Sequence, residues 1–160
     1  MAEEKVTLAA EYFDKAVKSQ VNGKIETAIK HYINSLKIFP TAQTHVYLGI
    51  AYSLQGYFEK AIKECKIALT IDPQFGSAYN NIGNYLLNLG KDDEAISWFD
   101  KAMKCEEFEM KYEACYCLGK IYEKKWDLFS AIRYYSRALN LYPDYEEAQN
   151  SMLRLTTLMN

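Results

Sequence analysis

The chain of 160 residues is 49% hydrophobic and 25% charged, with 19 Lys and Arg against 21 Asp and Glu, an ordinary composition for one globular domain with a continuous core. Residues 1–75 carry 9 basic and 8 acidic side chains and the remainder 10 and 13, so there is no basic stripe to track phosphates and no nucleic-acid partner is expected. Three prolines, no low-complexity run and no apolar stretch near the roughly 18 residues of a membrane helix exclude a disordered tail and membrane insertion.

The first residues, MAEEKVTLAAEYF, place acidic side chains where a secretory signal has a basic region and an apolar core. An intracellular, cytoplasmic protein is expected. Cys115 and Cys117 lie two apart on a predicted helix and point roughly 200° away from each other, which does not suit a shared ion. With Cys65 and Cys105 they are expected as free, packed thiols; no metal and no cofactor is expected.

Six of the seven glycines fall into two series, Gly49, Gly83, Gly119 and Gly23, Gly56, Gly90, with successive members 33 to 36 residues apart. Ala28, Ala61, Ala95 and Ala131 keep the same step, as do Pro40, Pro73 and Pro143 with one member skipped. A period of this size means stacked supersecondary units. The pattern aromatic-x2-Leu-Gly-x2-Tyr, then Ala-x3-Phe, then Pro, resembles the tetratricopeptide repeat (TPR), and the resemblance runs from residue 9 to 160. It implies an all-α, right-handed TPR solenoid of four helix-turn-helix hairpins plus a C-terminal capping helix.

The first repeat, residues 9–41, has a good second helix in Ala28, Tyr32, Leu36 and Pro40, while its first keeps Tyr12 and Ala16 but has Lys15 and Ser19 at apolar places. The second, 42–75, reads His45-x2-Leu48-Gly49-x2-Tyr52, Ala61-x3-Cys65, Pro73. The third, 76–111, reads Tyr79-x2-Ile82-Gly83-x2-Leu86 and Ala95-x3-Phe99, with Glu107 in the proline slot. Its stretch from Gly76 to Cys105 is the best self-contained hairpin, with small residues at Gly83, Ala95 and Ala102 that let two helices approach closely. The fourth, 112–145, reads Cys115-x2-Leu118-Gly119-x2-Tyr122, Ala131-x3-Tyr135, Pro143, with Trp126 replacing the turn glycine. Two residues are inserted between repeats three and four, within residues 106–111, and an irregular connection is expected there. Asp144 followed by Glu147 marks a helix start, and residues 146–159 carry Ala148, Met152, Leu155 and Met159 on one face, the layout of a cap. The whole chain, 1–160, is read as one TPR domain.

In TPR proteins the first helix of each repeat lines the concave side, and the resemblance assigns a partner-binding groove to Phe13, Val17, Val46, Tyr47, Ile50 and Leu54 in the first two repeats. It continues with Asn80, Asn81, Asn84 and Asn88, then Tyr116, Lys120 and Lys124, with Arg154 from the last helix. The groove is expected to be apolar in its first half and polar, then cationic, in its second.

Two readings of the apolar half stand open: a segment near Val6 to Ala10 folds over it, or the frame of the irregular first helix is off by one, against an exposed patch for an amphipathic helix or peptide. The asparagines are either an ordinary polar helix face or a row of amides that hydrogen-bond a peptide backbone whatever its sequence. Repeat three resembles the superhelices of the O-linked GlcNAc transferases, whose asparagine ladder Asn81 matches at one rung; the other rungs here are Asp14, Tyr47 and Cys117. The two-carboxylate clamp of chaperone-binding TPR domains would fall on Phe13, Val17, Tyr47, Ser77 and Asn81, or one repeat on, Val46, Ile50, Asn81, Glu113 and Cys117. Neither set supplies the Lys and Arg it needs, so chaperone C-terminal tails are not the expected ligand. Lys120, Lys124 and Arg154 are either solvated helix-surface cations or an attraction for an acidic segment.

His31 and His45 are the only histidines and neither stands in a nucleophile motif, so no catalysis is expected. The expected function is a non-catalytic adaptor that binds a peptide or helical segment of another protein. The alternatives are a self-assembling homo-oligomeric scaffold and a secretion-type chaperone built on the same repeat.

Overall fold

The computed structural model describes residues 1–159, and among these the regular structure is all helical. In chain order the helices are α1 (Ala2–Val21), α2 (Ile25–Ile38), α3 (Ala42–Leu54), α4 (Phe58–Ile71), α5 (Gly76–Asn88), α6 (Asp92–Lys104), α7 (Lys111–Lys124), α8 (Leu128–Leu141) and α9 (Glu146–Leu158). The first eight pair as successive hairpins, and each hairpin packs on the next through α2 and α3, α4 and α5, and α6 and α7, with α9 seated on α8. This is the predicted all-α solenoid, with four hairpins and a ninth helix packed on the last of them.

What draws each hairpin together is a small residue opposite a ring. On the second helices Ala28, Ala61, Ala95 and Ala131 are fully buried, and one helical turn later so are Tyr32, Cys65, Phe99 and Tyr135. The first helices meet them with Ala16, Gly49, Gly83 and Gly119. A Cβ added at Gly83 would stand 2.7 Å from the Phe99 ring and one at Gly119 2.5 Å from the Tyr135 ring, closer than real Cβ atoms come. At Gly49, where Cys65 replaces the ring, the nearest atom is the Ala61 carbonyl oxygen at 3.1 Å.

The hairpin turns share one geometry. Each first helix ends with a residue at positive φ: Gly23 (73°), Gly56 (80°), Gly90 (72°) and, alone in lacking glycine, Trp126 (62°). In all four the next amide donates back to the carbonyl five residues earlier, Lys24 to Ser19, Tyr57 to Tyr52, Lys91 to Leu86 and Asp127 to Tyr122, at 2.8–3.0 Å. For a non-glycine residue the left-handed region costs about 1–2 kcal/mol. Trp126 is 85% exposed, so it recovers little of that by packing. Trp126→Gly is therefore expected to raise the melting temperature, by about 1 kcal/mol of stability once the greater entropy of unfolded glycine is subtracted. A melting temperature below that of the wild type would show that the indole holds the turn.

The irregular connection falls where it was expected, between Lys104 and Lys111. The amide of Phe108 donates to the Cys105 carbonyl, as those of Phe75 and Tyr145 do to Asp72 and Tyr142 in the regular connections, which places the extra residues after Phe108, at Glu109 and Met110. Phe108 is buried against Gly76, whose added Cβ would lie 2.4 Å from the Cβ of Phe108. The seventh glycine, outside both series, is thus the seat of this ring. Side-chain caps occur at Thr41 and Asp127, which accept from the amides of Thr44 and Ser130 at 3.1 Å. Asp144 is no cap: the turn from Tyr142 to Tyr145 delays α9 to Glu146. On α9 Leu153 stands at the place of Gly119 and is exposed, since among the described residues no following helix packs against that side. Asn160 lies outside the described residues.

Candidate partner-binding groove

Side chains tie successive first helices directly to one another. The rings of Phe13 on α1 and Tyr47 on α3 meet edge to face at 5.1 Å, α3 packs on α5, the Cys117 thiol on α7 donates to Asn84 Oδ1 on α5 at 3.4 Å, and Arg154 on α9 grips Glu123 on α7. The first helices therefore form one continuous face.

The apolar half of that face is largely consumed by packing between repeats. α1 runs unbroken from Ala2, with Val6 and Leu8 exposed, so the segment from Val6 to Ala10 is part of that helix and does not fold back over the apolar half. The frame of the first repeat holds, since Ala16 is fully buried in one cluster with Tyr32, at the places of the glycine and the ring. Phe13, Val17 and Tyr47 are half-buried in the same cluster. Val46 is 3% exposed and cannot offer surface to a partner, because its position points into the contact between α3 and its neighbours. Ile50 is half-buried, and Leu54, at 59%, is the freely exposed member.

The four asparagines do not form a common row. Asn80 is 2% exposed and so is removed from the groove. It occupies the position of Phe13, Val46 and Tyr116, where the other repeats keep larger or apolar side chains turned toward the next hairpin. It faces Glu113, whose carboxyl burial lifts above the usual range, with Glu147 pushing the same way and the Asn80 amide opposing. Asn81 is half-buried, and among the described residues no hydrogen bond engages its amide. Asn84 receives the Cys117 thiol, and Asn88, which is exposed, donates to the Asn84 carbonyl at 2.8 Å.

The cationic end is built around a cavity of about 670 Å³ between α7, the α7–α8 turn and α9. Tyr116, Lys120, Lys124 and Arg154 line it together, so the structure brings these four predicted residues to one place. Arg154 holds the Glu123 carboxylate through both oxygens, with Nη2 to Oε2 at 3.1 Å, and the Tyr135 hydroxyl donates to Oε2 at 2.7 Å. The guanidinium keeps the Glu123 carboxyl below the usual range against the opposing effect of burial. Lys124 pairs with Asp92, and the Lys120 ammonium lies 5.6 Å from the centre of the Tyr116 ring. Trp126, Leu128, Leu155 and Leu158 complete the wall. Of these Trp126 was legible as an oddity, a large ring in a glycine slot, but its spacing carried no sign that it reaches the groove end. A larger concavity, about 780 Å³, opens instead on the connecting loops beside Phe75 and Phe108 and carries acidic residues such as Glu106 and Glu109.

Burial pushes the Cys65 thiol up to about 12 and the Cys117 thiol up to about 11, so both are protonated and poor nucleophiles at neutral pH. His45 Nδ1 lies 2.7 Å from Glu64 Oε2, a packed pair between α3 and α4. Among the described residues no group of His, Cys, Asp and Glu is arranged to hold a metal, and no helix is long and apolar enough to cross a membrane.

Residues 42–75 and 112–145 match a family model described as a tetratricopeptide repeat, and residues 76–106 match a second model of the same description. The chain belongs to the tetratricopeptide repeat family. The matched spans are repeats two, three and four, and the irregular connection falls between them. Over 90 residues this TPR protein is 29% identical to the small glutamine-rich tetratricopeptide repeat-containing protein 2 of Saccharomyces cerevisiae, which takes in 56% of this chain and 26% of that protein. Over 102 residues it is 31% identical to the Photosystem I assembly protein Ycf3 of Prochlorococcus marinus, covering 57% of this chain and 59% of that one. It thus spans less than two thirds of either relative. Its fold is similar to that of pilF of Pseudomonas aeruginosa, with a TM-score of 0.88 at 19% identity over 99% of this chain and 70% of the other. The MamA protein gives a TM-score of 0.78 at 25% identity, over 96% of this chain and 81% of the other.

Proposed function

We propose that this TPR protein is a non-catalytic adaptor which captures a peptide or helical segment of another protein along the face made by its first helices. The observation that carries this reading is the continuity of that face from Tyr47 and Ile50 through Asn81 and Asn84 to Tyr116 and Lys120, with polar groups left over for a ligand at Asn81 and Lys120. A relative named as a photosystem assembly protein supports a role in bringing proteins together, without naming the protein that is bound here. The buried free thiols suit a reducing compartment, and the cytoplasm is the proposed place of action.

The test is a pull-down that compares wild type with the pair Tyr47→Ala, Ile50→Ser and, separately, Asn81→Ala with Asn84→Ala. Capture is expected to fall at least tenfold in one or both pairs while the helical signal and melting cooperativity persist. Full capture by both folded pairs would move the binding surface to the second helices or the loops.

A second reading, self-assembly into a homo-oligomeric scaffold, is favoured by the exposed Leu153 on α9, on the side of the helix away from buried Leu155. Light scattering separates the two, since a monomer at every concentration speaks against assembly.

A further inference from the structure

We propose that the cavity between α7 and α9 is a docking subsite for an acidic partner segment that inserts one apolar side chain and sets a carboxylate against Lys120, the cation of its rim that has no ion-pair partner among the described residues. The inference rests on the adaptor reading and specifies the partner chemistry of its C-terminal end. At about 670 Å³ the cavity lies within the roughly 300–1,000 Å³ usual for ligand sites, enough for a large side chain and its flanking backbone. Its walls are apolar, and Trp126 and Leu158 stand 85% and 70% exposed at its mouth, surface that an inserted side chain would cover.

Charge decides the rest. The ionic side chains of the lining are Lys120, Lys124, Arg154 and Glu123, and the Glu123 carboxylate is already held by Arg154 and the Tyr135 hydroxyl. Arg154 is paired with Glu123 and Lys124 with Asp92, so the unanswered charge of the pocket is that of Lys120, which forms no ion pair among the described residues. A basic segment would be repelled by Lys120, and a purely apolar one would leave it unanswered.

The backbone gives an independent pointer. Three of the four hairpin turns use glycine at positive φ, and the fourth uses Trp126 at 62° with its indole in solvent. A strained conformation that packing does not repay is a sign of use by a ligand. Trp126 also lines the cavity.

The experiment uses the full chain carrying Trp98→Phe, so that Trp126 alone reports by fluorescence. It is titrated with three capped peptides: a leucine flanked on each side by two aspartates, the same leucine flanked by lysines, and a serine flanked by aspartates. Saturable change in Trp126 emission with the first peptide alone, weakened at least tenfold by Lys120→Glu with Lys124→Glu and by added salt, is the expected result. In calorimetry with the otherwise unchanged chain, Trp126→Gly is expected to lose the aspartate–leucine peptide at least tenfold while melting above wild type, which separates binding from folding. Equal binding of the lysine peptide, no response to the aspartate–leucine peptide, or undiminished binding by Trp126→Gly would overturn the subsite. So would an emission shift driven by protein concentration alone, which would give the cavity to a second copy of the chain. Asn81→Ala with Asn84→Ala should leave peptide binding here intact; if the subsite fails while those asparagines still govern partner capture, the adaptor reading stands without it.

Discussion

Gly83→Leu is expected to lower the melting temperature by about 2–12 °C, the equivalent of about 1–3 kcal/mol of overpacking in a chain of this size. The Phe99 ring is fully buried and stands 2.7 Å from where even a Cβ would sit, so the leucine has to part α5 from α6 or displace the ring. Gly119→Ala should also destabilise, because the opposing Tyr135 ring is buried and its hydroxyl is bound to Glu123. Gly49→Ala should be nearly neutral. There the closest atom is 3.1 Å away and the thiol of Cys65 leaves room, while alanine gains about 1 kcal/mol of helix propensity over glycine. Lys91→Glu, exposed in the turn before α6, should be close to silent. Thermal melts of the four variants check the ranking, and equal shifts at Gly49, Gly83, Gly119 and Lys91 would remove the assignment of these glycines to the helix contact.

Phe108→Ala should cost about 3–5 kcal/mol, the usual range for emptying a buried aromatic site. Its consequence should differ in kind from that of a hairpin defect. In a solenoid each repeat is stabilised mainly by its neighbours, so a weak junction uncouples what lies on either side. Phe108 is in the central core cluster and fills the space over Gly76 at the connection between repeats three and four. The expected result is a melt that broadens or splits in two, with α7–α9 losing structure first. A single sharp transition at the wild-type temperature would show that the longer connection contributes nothing to coupling.

The hairpins were legible in the sequence because close helix approach demands a small residue and the turn demands a left-handed one, and both demands recur every 33 to 36 residues at Gly49, Gly83, Gly119 and Gly23, Gly56, Gly90. The irregular connection was legible from the broken period. Which residue fills it was not: Phe108 sits among Glu106, Glu107 and Glu109, and only the approach of the Gly76 backbone gives its ring a place to bury.

The groove was less legible than the fold. Periodicity selects a helix face but not how far the next hairpin covers it. Val46 and Asn80 share a position with Tyr116 and are buried, whereas Tyr116 lines an open cavity. The apolar half looked like a partner site because Phe13, Val17 and Tyr47 share a face; in the structure they spend much of that surface on Tyr32 and on one another. The cavity at the other end draws on α7, the turn at Trp126 and α9, segments whose convergence depends on the superhelix and not on any local spacing.

Amide hydrogen exchange of the protein with and without its captured partner tests the central claim most directly. The account predicts added protection on the first helices, α3, α5 and α7, with side-chain-dependent loss of that protection in the Asn81→Ala, Asn84→Ala pair. Protection confined to α2, α4, α6 and α8 would contradict it.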